Sequence, residues 1–335
     1  MRDRRLKSIA DIAAIAGVSK STVSRALNDS TLVEESTRKR IKTIAEEHRF
    51  RPSATARNLS LRTTRTIAFV THAYSRDECC VSDPFSLEIM GGIAIGLHEL
   101  GYDLLVLHVD PDDREWASQY LDTGRVDGFI LMTSVKKRAH IDMLLELGAP
   151  FVAWGQGAGA FCSVCGDDRV GGRLAAERLL SLGRRRIGFI GGTRIELEVK
   201  ERYRGFEEGL TAGGSAVDPL LVTWGDYSER SGALAAEELL DREPKLDAIF
   251  ANSDIMAIAA MRALQARGRK IPDDIAVIGY DGLSLASYVS PALTTISQKI
   301  PLAGKLLARD LVAYLEQGII TTTTIPVELV TRQSG

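Results

Sequence analysis

From Thr66 onward, short apolar runs alternate with longer segments of helical periodicity, and this alternation constrains the fold more than any other feature. The apolar runs are TIAFVT (66–71), DLLVLH (103–108), GFILM (128–132), PFVAW (150–154), RIGFIGG (186–192), LLVTWG (220–225), AIFAN (248–252) and IAVIGYDG (275–282). The segments expected to be helical are Phe85–Leu100, Arg114–Thr123, Lys137–Leu147, Val170–Leu182, Val199–Ala212, Ser228–Asp241, Ile255–Ala266 and Leu302–Glu316. Strands that are apolar throughout are buried on both faces, and repeated strand-helix-strand units give parallel sheets covered by helices. About 260 residues of this pattern exceed one comfortable core, so a doubly wound α/β body of two lobes is expected. Its ligand belongs outside the carboxyl ends of the strands, in the cleft between the lobes.

The first 50 residues read differently. In SIADIAAIAGVSKSTVSRALN (8–28), Ile9, Ile12, Ala13 and Ala16 form one helical face, Ser8 stands at a capping position and Gly17 at a helix end. Val18 supplies an apolar plug, and Ser19 caps a second helix, Lys20 to about Leu27. Val23, Ala26 and Leu27 point one way on it, and Lys20, Ser21, Ser24 and Arg25 the other. A helix with small polar and basic residues on its outer face suits the major groove of DNA. A third helix, Glu35 to Arg49, offers Ile41, Ile44, Ala45 and His48 to close a three-helix core. Thr37, Arg38 and Lys39 sit in its first turn, where cations oppose the helix dipole and a nearby phosphate would compensate them.

Charge agrees with a polyanion partner for this head. Residues 1–65 hold 15 Lys and Arg against 7 Asp and Glu, while the remainder holds 27 against 37. Residues 50–65, FRPSATARNLSLRTTR, carry a two-turn helical pattern after Pro52, too short to be stable alone. No apolar run reaches the length of a membrane span, and MRDRRLKS leads into no signal-like segment. A cytoplasmic protein with reduced thiols is expected.

Taken in this order, the motifs resemble the lactose/galactose repressor family of bacterial transcription regulators across essentially the whole chain. The resemblance is carried by IADIAAIAGVSKSTVSRALN, RPSATARNL, ERYRGFEEGL (201–210), GDYSERSG (225–232), ANSDIMAIAAM (251–261), VIGYDG (277–282), PALTTISQ (291–298) and the final IPVELVTRQS. Departures are Ser53 after the hinge proline, Arg184 in GRRRI, and the cysteine-bearing DECCVSDPF. The resemblance implies a helix-turn-helix head (1–50), a hinge helix (51–65) and a periplasmic-binding-protein-like effector and dimerisation body (66–335). The lobes are expected at about 66–166 plus 296–322 and about 167–292 plus 323–332.

By that resemblance Lys20, Ser21 and Arg25 read bases, and Ser8, Ser19, Thr22, Asn28 and Thr37 contact or orient the DNA backbone. Leu59, flanked by Ala56 and Arg57, matches a wedge that enters the minor groove. Phe85, Arg202, Tyr227 and Asp281 match effector-cleft positions, with Arg202 and Asp281 clamping hydroxyls and Tyr227 covering the ligand. Trp154, Gln156 and Asn252 fall at or near strand ends and join them. Asp167 reads equally as a helix cap or a cleft residue, Asp254 as the cap of its helix, and Trp224 as packing. The implied partners are double-stranded operator DNA, a mono- or oligosaccharide effector and a second copy of the chain, with a tetramer open and no membrane contact. Purines and nucleosides remain the other effector class.

Other chemistry finds little support. Cys162-x-x-Cys165 has ligand or redox spacing, but Cys79-Cys80 makes no matching second pair, and no cofactor or metal is expected. GQGAG (155–159) lacks the full dinucleotide pattern, and no serine elbow or histidine pair at helical spacing occurs. A stand-alone sugar-binding protein would share the body but not the head. An enzyme on this scaffold would show a phosphate loop or a catalytic constellation.

Overall fold

The computed structural model describes residues 8–50, 63–72, 83–110, 113–132, 138–157 and 160–335. The hinge positions Ala56, Arg57 and Leu59, and Cys79 and Cys80, lie outside the described residues. The chain divides into two compact units, Met1–Thr64 and Arg65–Gly335.

The first unit contains α1 (Ile9–Ala16), α2 (Lys20–Leu27) and α3 (Glu35–Glu47). Ser8 and Asp11 form a reciprocal capping box on α1, Gly17 ends it at φ 65°, and Ser19 accepts from the Thr22 N–H to start α2. Ile12, Ala13, Ala16, Val23, Ala26, Val33, Ile41 and Ala45 make the core, with Val18 and Ile44 packed against it. The third helix is two residues shorter than expected, and His48 is its half-buried C-cap rather than a core residue. The cations of α3 have protein partners: Lys39 pairs with Glu35 at 2.9 Å, Lys42 with Asp29 at 2.6 Å and Arg38 with Asp29 at 3.9 Å. The dipole conflict expected in its first turn is thus offset within the protein itself.

The second unit is built on two six-stranded sheets. The first comprises β1 (Thr66–His72), β2 (Asp103–Val109), β3 (Gly128–Met132), β4 (Phe151–Trp154), β5 (Cys162–Gly166) and β11 (Thr322–Ile325). Its spatial order is β11-β5-β4-β3-β1-β2, parallel throughout. One face is covered by α4 (Pro84–Glu99) and α11 (Ile300–Gln317), the other by α5 (Trp116–Asp122) and α6 (Arg138–Glu146). Alternation along β1 shows why its run is apolar throughout: Ile67 and Phe69 enter one core layer, Ala68 and Val70 the other.

The second sheet comprises β6 (Ile187–Gly191), β7 (Val222–Trp224), β8 (Ala248–Ala251), β9 (Ala276–Asp281), β10 (Thr294–Ser297) and β12 (Glu328–Val330). Its order is β12-β10-β9-β8-β6-β7, with only β12 antiparallel to its neighbour. On one face lie α7 (Asp168–Ser181) and α8 (Leu197–Ala212), on the other α9 (Glu229–Arg242) and α10 (Asp254–Ala266).

Four strands escape the sequence reading: β5, β10, β11 and β12. Each is short, and CSVCG, TTIS and TTTI are rich in small or hydroxyl residues, so none shows a buried apolar run. They also correct the lobe boundaries. β10 pairs with β9 in the second sheet, so 296 and 297 do not belong to the first lobe. β11 pairs with β5, so 323–325 do not belong to the second. The chain therefore crosses between lobes three times, after β5, after β10 and after β11.

Candidate functional site

The carboxyl ends of the second sheet converge on Arg202, in the second turn of α8. Its Nε donates to Asp168 Oδ1 at 2.8 Å and its Nη1 to the Asn252 carbonyl at 2.8 Å. Its guanidinium lies 3.7 Å from the centroid of the Tyr280 ring, and the Tyr280 hydroxyl reaches the same Asp168 oxygen at 3.3 Å. Arg202 is 4% exposed and Asp168 4%, so this is a buried ion pair with added hydrogen bonds and a cation–π contact. Burial pushes the Asp168 carboxyl above its usual range, with the guanidinium pulling against it.

Close packing of α7 on α8 puts Arg202 in place. A Cβ on Gly172 would stand 1.9 Å from the Arg202 carbonyl oxygen, and one on Gly205 1.8 Å from that of Arg169. Only glycine allows the two helices this approach.

Asp281 ends β9 at φ 120°, and Tyr227 precedes α9 at φ 72°. Both backbones occupy a region that side-chain-bearing residues rarely adopt, the kind of strain that collects at functional sites. The Tyr227 ring lies on Gly192, where an added Cβ would come within 2.3 Å of it. Asp281 Oδ1 accepts from Gln298 Nε2 at 2.9 Å, and Gln298 in turn packs on Gly166 at the end of β5. Burial, the nearby Asp254 carboxyl and, more weakly, Asp83 raise Asp281, while Arg202 lowers it. The expected Arg202 and Asp281 clamp is therefore already partly engaged, by Asp168 and Gln298.

Asn252 follows β8 and is fully buried. Neither side-chain atom of its amide has a hydrogen-bond partner among the described residues. From the first lobe, Phe85 at the start of α4 and Trp154 at the end of β4 bring their ring centroids to 6.0 Å. Trp154 shares a hydrophobic cluster with Leu283, two residues beyond Asp281, and Phe85 packs against that cluster. Gln156 is exposed and instead lines a groove of about 420 Å³ with Cys165, Thr322, Thr324 and Asp167 to Arg169, which meets the cleft wall at Asp168.

Neighbouring residues are assigned by their contacts. Asp167 caps α7, accepting from the Val170 N–H at 3.1 Å. Asp254 is not the cap of α10: Ser253 is. Asp254 instead accepts from the Leu283 N–H at 2.7 Å and the Thr295 hydroxyl at 2.5 Å, tying α10 to the segment after β9 and to β10. Trp224 packs against Phe189 and Tyr203, with Arg194 over its ring. Cys162 and Cys165 both lie on β5, where an odd spacing places side chains on opposite faces. Cys162 enters the core and Cys165 the groove, so the two thiols do not converge.

In the first unit, Lys20, Ser21 and Arg25 are exposed on α2, as are Ser8, Ser19 and Asn28 nearby, while Thr22 and Thr37 are half-buried. Thr22 also bonds Ser19 through its hydroxyl at 2.8 Å. Among the described residues neither Lys20 nor Arg25 forms an ion pair, in contrast to the cations of α3.

The sequence reading missed Asp168, Tyr280 and Gln298. A signal for the first two was present: Gly171 and Gly172, adjacent in one helix, mark a close approach, and a Cβ on Gly171 would stand 2.4 Å from the Tyr280 hydroxyl oxygen.

A three-helix head with an open basic helix, joined to a two-sheet ligand-binding body, defines a DNA-binding transcriptional regulator. The family model for bacterial regulatory proteins of the lacI family matches residues 8–53, and that for a periplasmic binding protein-like domain matches 176–335. The HTH-type transcriptional regulator CelR of Thermobifida fusca is 37% identical over 335 residues, 98% of this chain and 97% of CelR. Among solved structures, a transcriptional regulator CelR–cellobiose complex matches with TM-score 0.74 and 34% identity, over 98% of this chain and 100% of that one. A lac repressor dimer bound to operator and the anti-inducer ONPF matches with TM-score 0.83 and 26% identity, over 98% of each chain. The chain belongs to the lacI family of bacterial transcriptional regulators.

Proposed function

We propose that the protein is a homodimeric, cytoplasmic repressor of a carbohydrate-utilisation operon, released from or locked onto its operator by a sugar held between the two lobes. Lys20, Ser21 and Arg25 read base edges, Arg25 being able to pair bidentately with guanine. Ser8, Ser19, Thr22, Asn28 and Thr37 hold the phosphate backbone, and Ala56, Arg57 and Leu59 form the hinge wedge. Phe85, Trp154, Arg202, Tyr227, Asn252 and Asp281 contact the effector.

The observation that carries the effector site is the Asn252 amide, buried beside Arg202 with no partner among the described residues for its nitrogen or its oxygen. A buried amide left unsatisfied carries a desolvation penalty that a hydroxyl, donor and acceptor at once, removes. Aromatic faces at Phe85 and Trp154 suit the C–H side of a pyranose. The cellobiose complex of CelR supports a β-linked glucose disaccharide as the first ligand to try.

A thermal-shift screen of cellobiose, glucose, ribose, guanine and adenosine tests this reading. Saturating cellobiose raises the melting temperature, since a ligand at about 100 times its Kd stabilises the native state by about 2.7 kcal/mol. A shift with guanine or adenosine and none with any sugar overturns the sugar assignment.

A further inference from the structure

Chain continuity joins the two lobes at the three crossings. Bonds near the crossings tie one such segment to another, as the Asp167 N–H does to the Ile325 carbonyl at 3.1 Å and Lys299 to Glu328 at 3.2 Å. The segment Asp281–Ser284 makes a further connection that no crossing requires. Asp281 leaves β9 at φ 120° and Gly282 follows at φ 76°, where an added Cβ would stand 2.7 Å from Ser297. The Leu283 N–H stays with the second lobe, donating to Asp254 Oδ2 at 2.7 Å. Its side chain goes to the first: it is fully buried in the core cluster that holds Ile89 and Ile93 of α4 and Ile300 of α11. The next N–H, that of Ser284, donates to Glu88 Oε1 at 2.8 Å. Glu88 is half-buried in the second turn of α4, three residues beyond Phe85. Within four residues the backbone runs from the Asp281 carboxylate to a helix of the opposite lobe.

The two contacts differ in what undoing them costs. Drawing Leu283 out of the core exposes a whole apolar side chain to water. The bond between Glu88 and Ser284 lies at the surface, where water replaces either partner. Leu283 is therefore the pivot, and the hydrogen bond is the part that opens and closes about it.

We propose that Glu88 is a positioning residue for the effector response: by holding the Ser284 N–H beside the Leu283 pivot, it latches the second lobe to α4 and slows release of a sugar bound at Asp281. This rests on the reading that the sugar binds between the lobes. Glu88 acts through Ser284, so it governs how fast the cleft opens rather than how the sugar enters.

The backbone offers a second way to remove the latch. Ser284 is the first residue of a 3₁₀ turn, Ser284–Ser287, where proline is tolerated, and Leu283 before it has φ −61° and ψ 147°, which a following proline accepts. Ser284→Pro thus deletes the N–H without asking the chain to move.

The test is stopped-flow binding of cellobiose, glucose and ribose to the full chain, followed by tryptophan fluorescence, with melting temperature as the control. Glu88→Ala releases the bound sugar about fivefold faster, with association and melting temperature unchanged. Glu88→Gln, whose amide oxygen still accepts from Ser284, stays near the wild type. Ser284→Pro matches Glu88→Ala, and the two together are no faster than either alone. Unchanged release in Glu88→Ala, slowed association in place of faster release, or effects of Glu88→Ala and Ser284→Pro that multiply overturns the latch alone. Failure of all three sugars to bind the wild type overturns the reading of the site, and the latch with it. Glu88→Ala decides the matter even if Ser284→Pro does not fold.

Discussion

Arg202 donates through Nε to Asp168 Oδ1 at 2.8 Å, in a place where both side chains are almost wholly buried. The bond joins α8 to the first residue of α7, directly after one of the three crossings between lobes. Removing one member of a buried pair strands the other charge, at about 3–5 kcal/mol. Asp168→Ala is expected to lower stability by that order in urea unfolding. Asp168→Ala combined with Arg202→Ala is expected to cost less than the sum of the two single changes. Strict additivity would show that the pair is not a unit.

The packing that holds Arg202 makes a separate prediction. Gly205→Ala places a methyl 1.8 Å from the Arg169 carbonyl oxygen, so α7 and α8 must separate. Overpacking of this kind costs about 1–3 kcal/mol or more. Affinity for a sugar held in the cleft is expected to fall with it, because Arg202 moves with its helix. Thermal melting read alongside calorimetric titration checks both.

The head is expected to tolerate changes on its outer face. Lys20→Ala and Arg25→Ala remove exposed side chains that take no part in the core, so melting temperature changes by little, within about 0.5 kcal/mol. Specific DNA binding falls by about 1–3 kcal/mol for Arg25→Ala if it reads a guanine. Fluorescence anisotropy over a series of salt concentrations separates this from phosphate contacts, whose loss flattens the salt slope.

Asp254 predicts a pH dependence of folding. Burial raises its carboxyl from 3.8 to about 7, so the native state holds a proton that the unfolded chain releases near pH 4. Stability from this group is complete below about pH 4 and is lost as pH rises towards 7. Urea midpoints are therefore expected to fall between pH 5 and pH 8. Asp254→Asn reduces this fall and leaves the part that the raised Asp168 and Asp281 carboxyls contribute. It is also less stable than the wild type at pH 5, because an amide oxygen replaces the carboxyl that meets both Leu283 and Thr295.

Much of this molecule was legible in the chain, and the parts that were not share a cause. The caps at Ser8, Gly17 and Ser19 are local chemistry and were read directly. The buried strands β1, β3, β4, β6, β8 and β9 announced themselves as apolar runs because helices cover both of their faces, and the edge strands β2 and β7 were found by their shorter apolar stretches. β11 and β12 lie at sheet edges, and CSVCG meets β11 with hydroxyls and thiols, so their patterns carry no such signal. In the cleft, resemblance supplied Arg202, Tyr227 and Asp281 but not the groups that occupy them. Asp168 and Asp167 look alike in sequence, and only the rotation of α7 turns the first inward to Arg202 and leaves the second as the cap. Gln298 lies 17 residues beyond Asp281, and only the pairing of β10 with β9 brings the two together.

A sugar in the cleft is proposed to control DNA binding by the head. The direct measurement is the affinity of the full chain for a duplex that it has itself selected from a random pool, with and without saturating cellobiose. The expected result is a change of at least about fivefold in the wild type, the lower range of allosteric coupling, and no response in Arg202→Ala, which still binds the duplex. Cellobiose bound at saturation with duplex affinity unchanged in the wild type would contradict it.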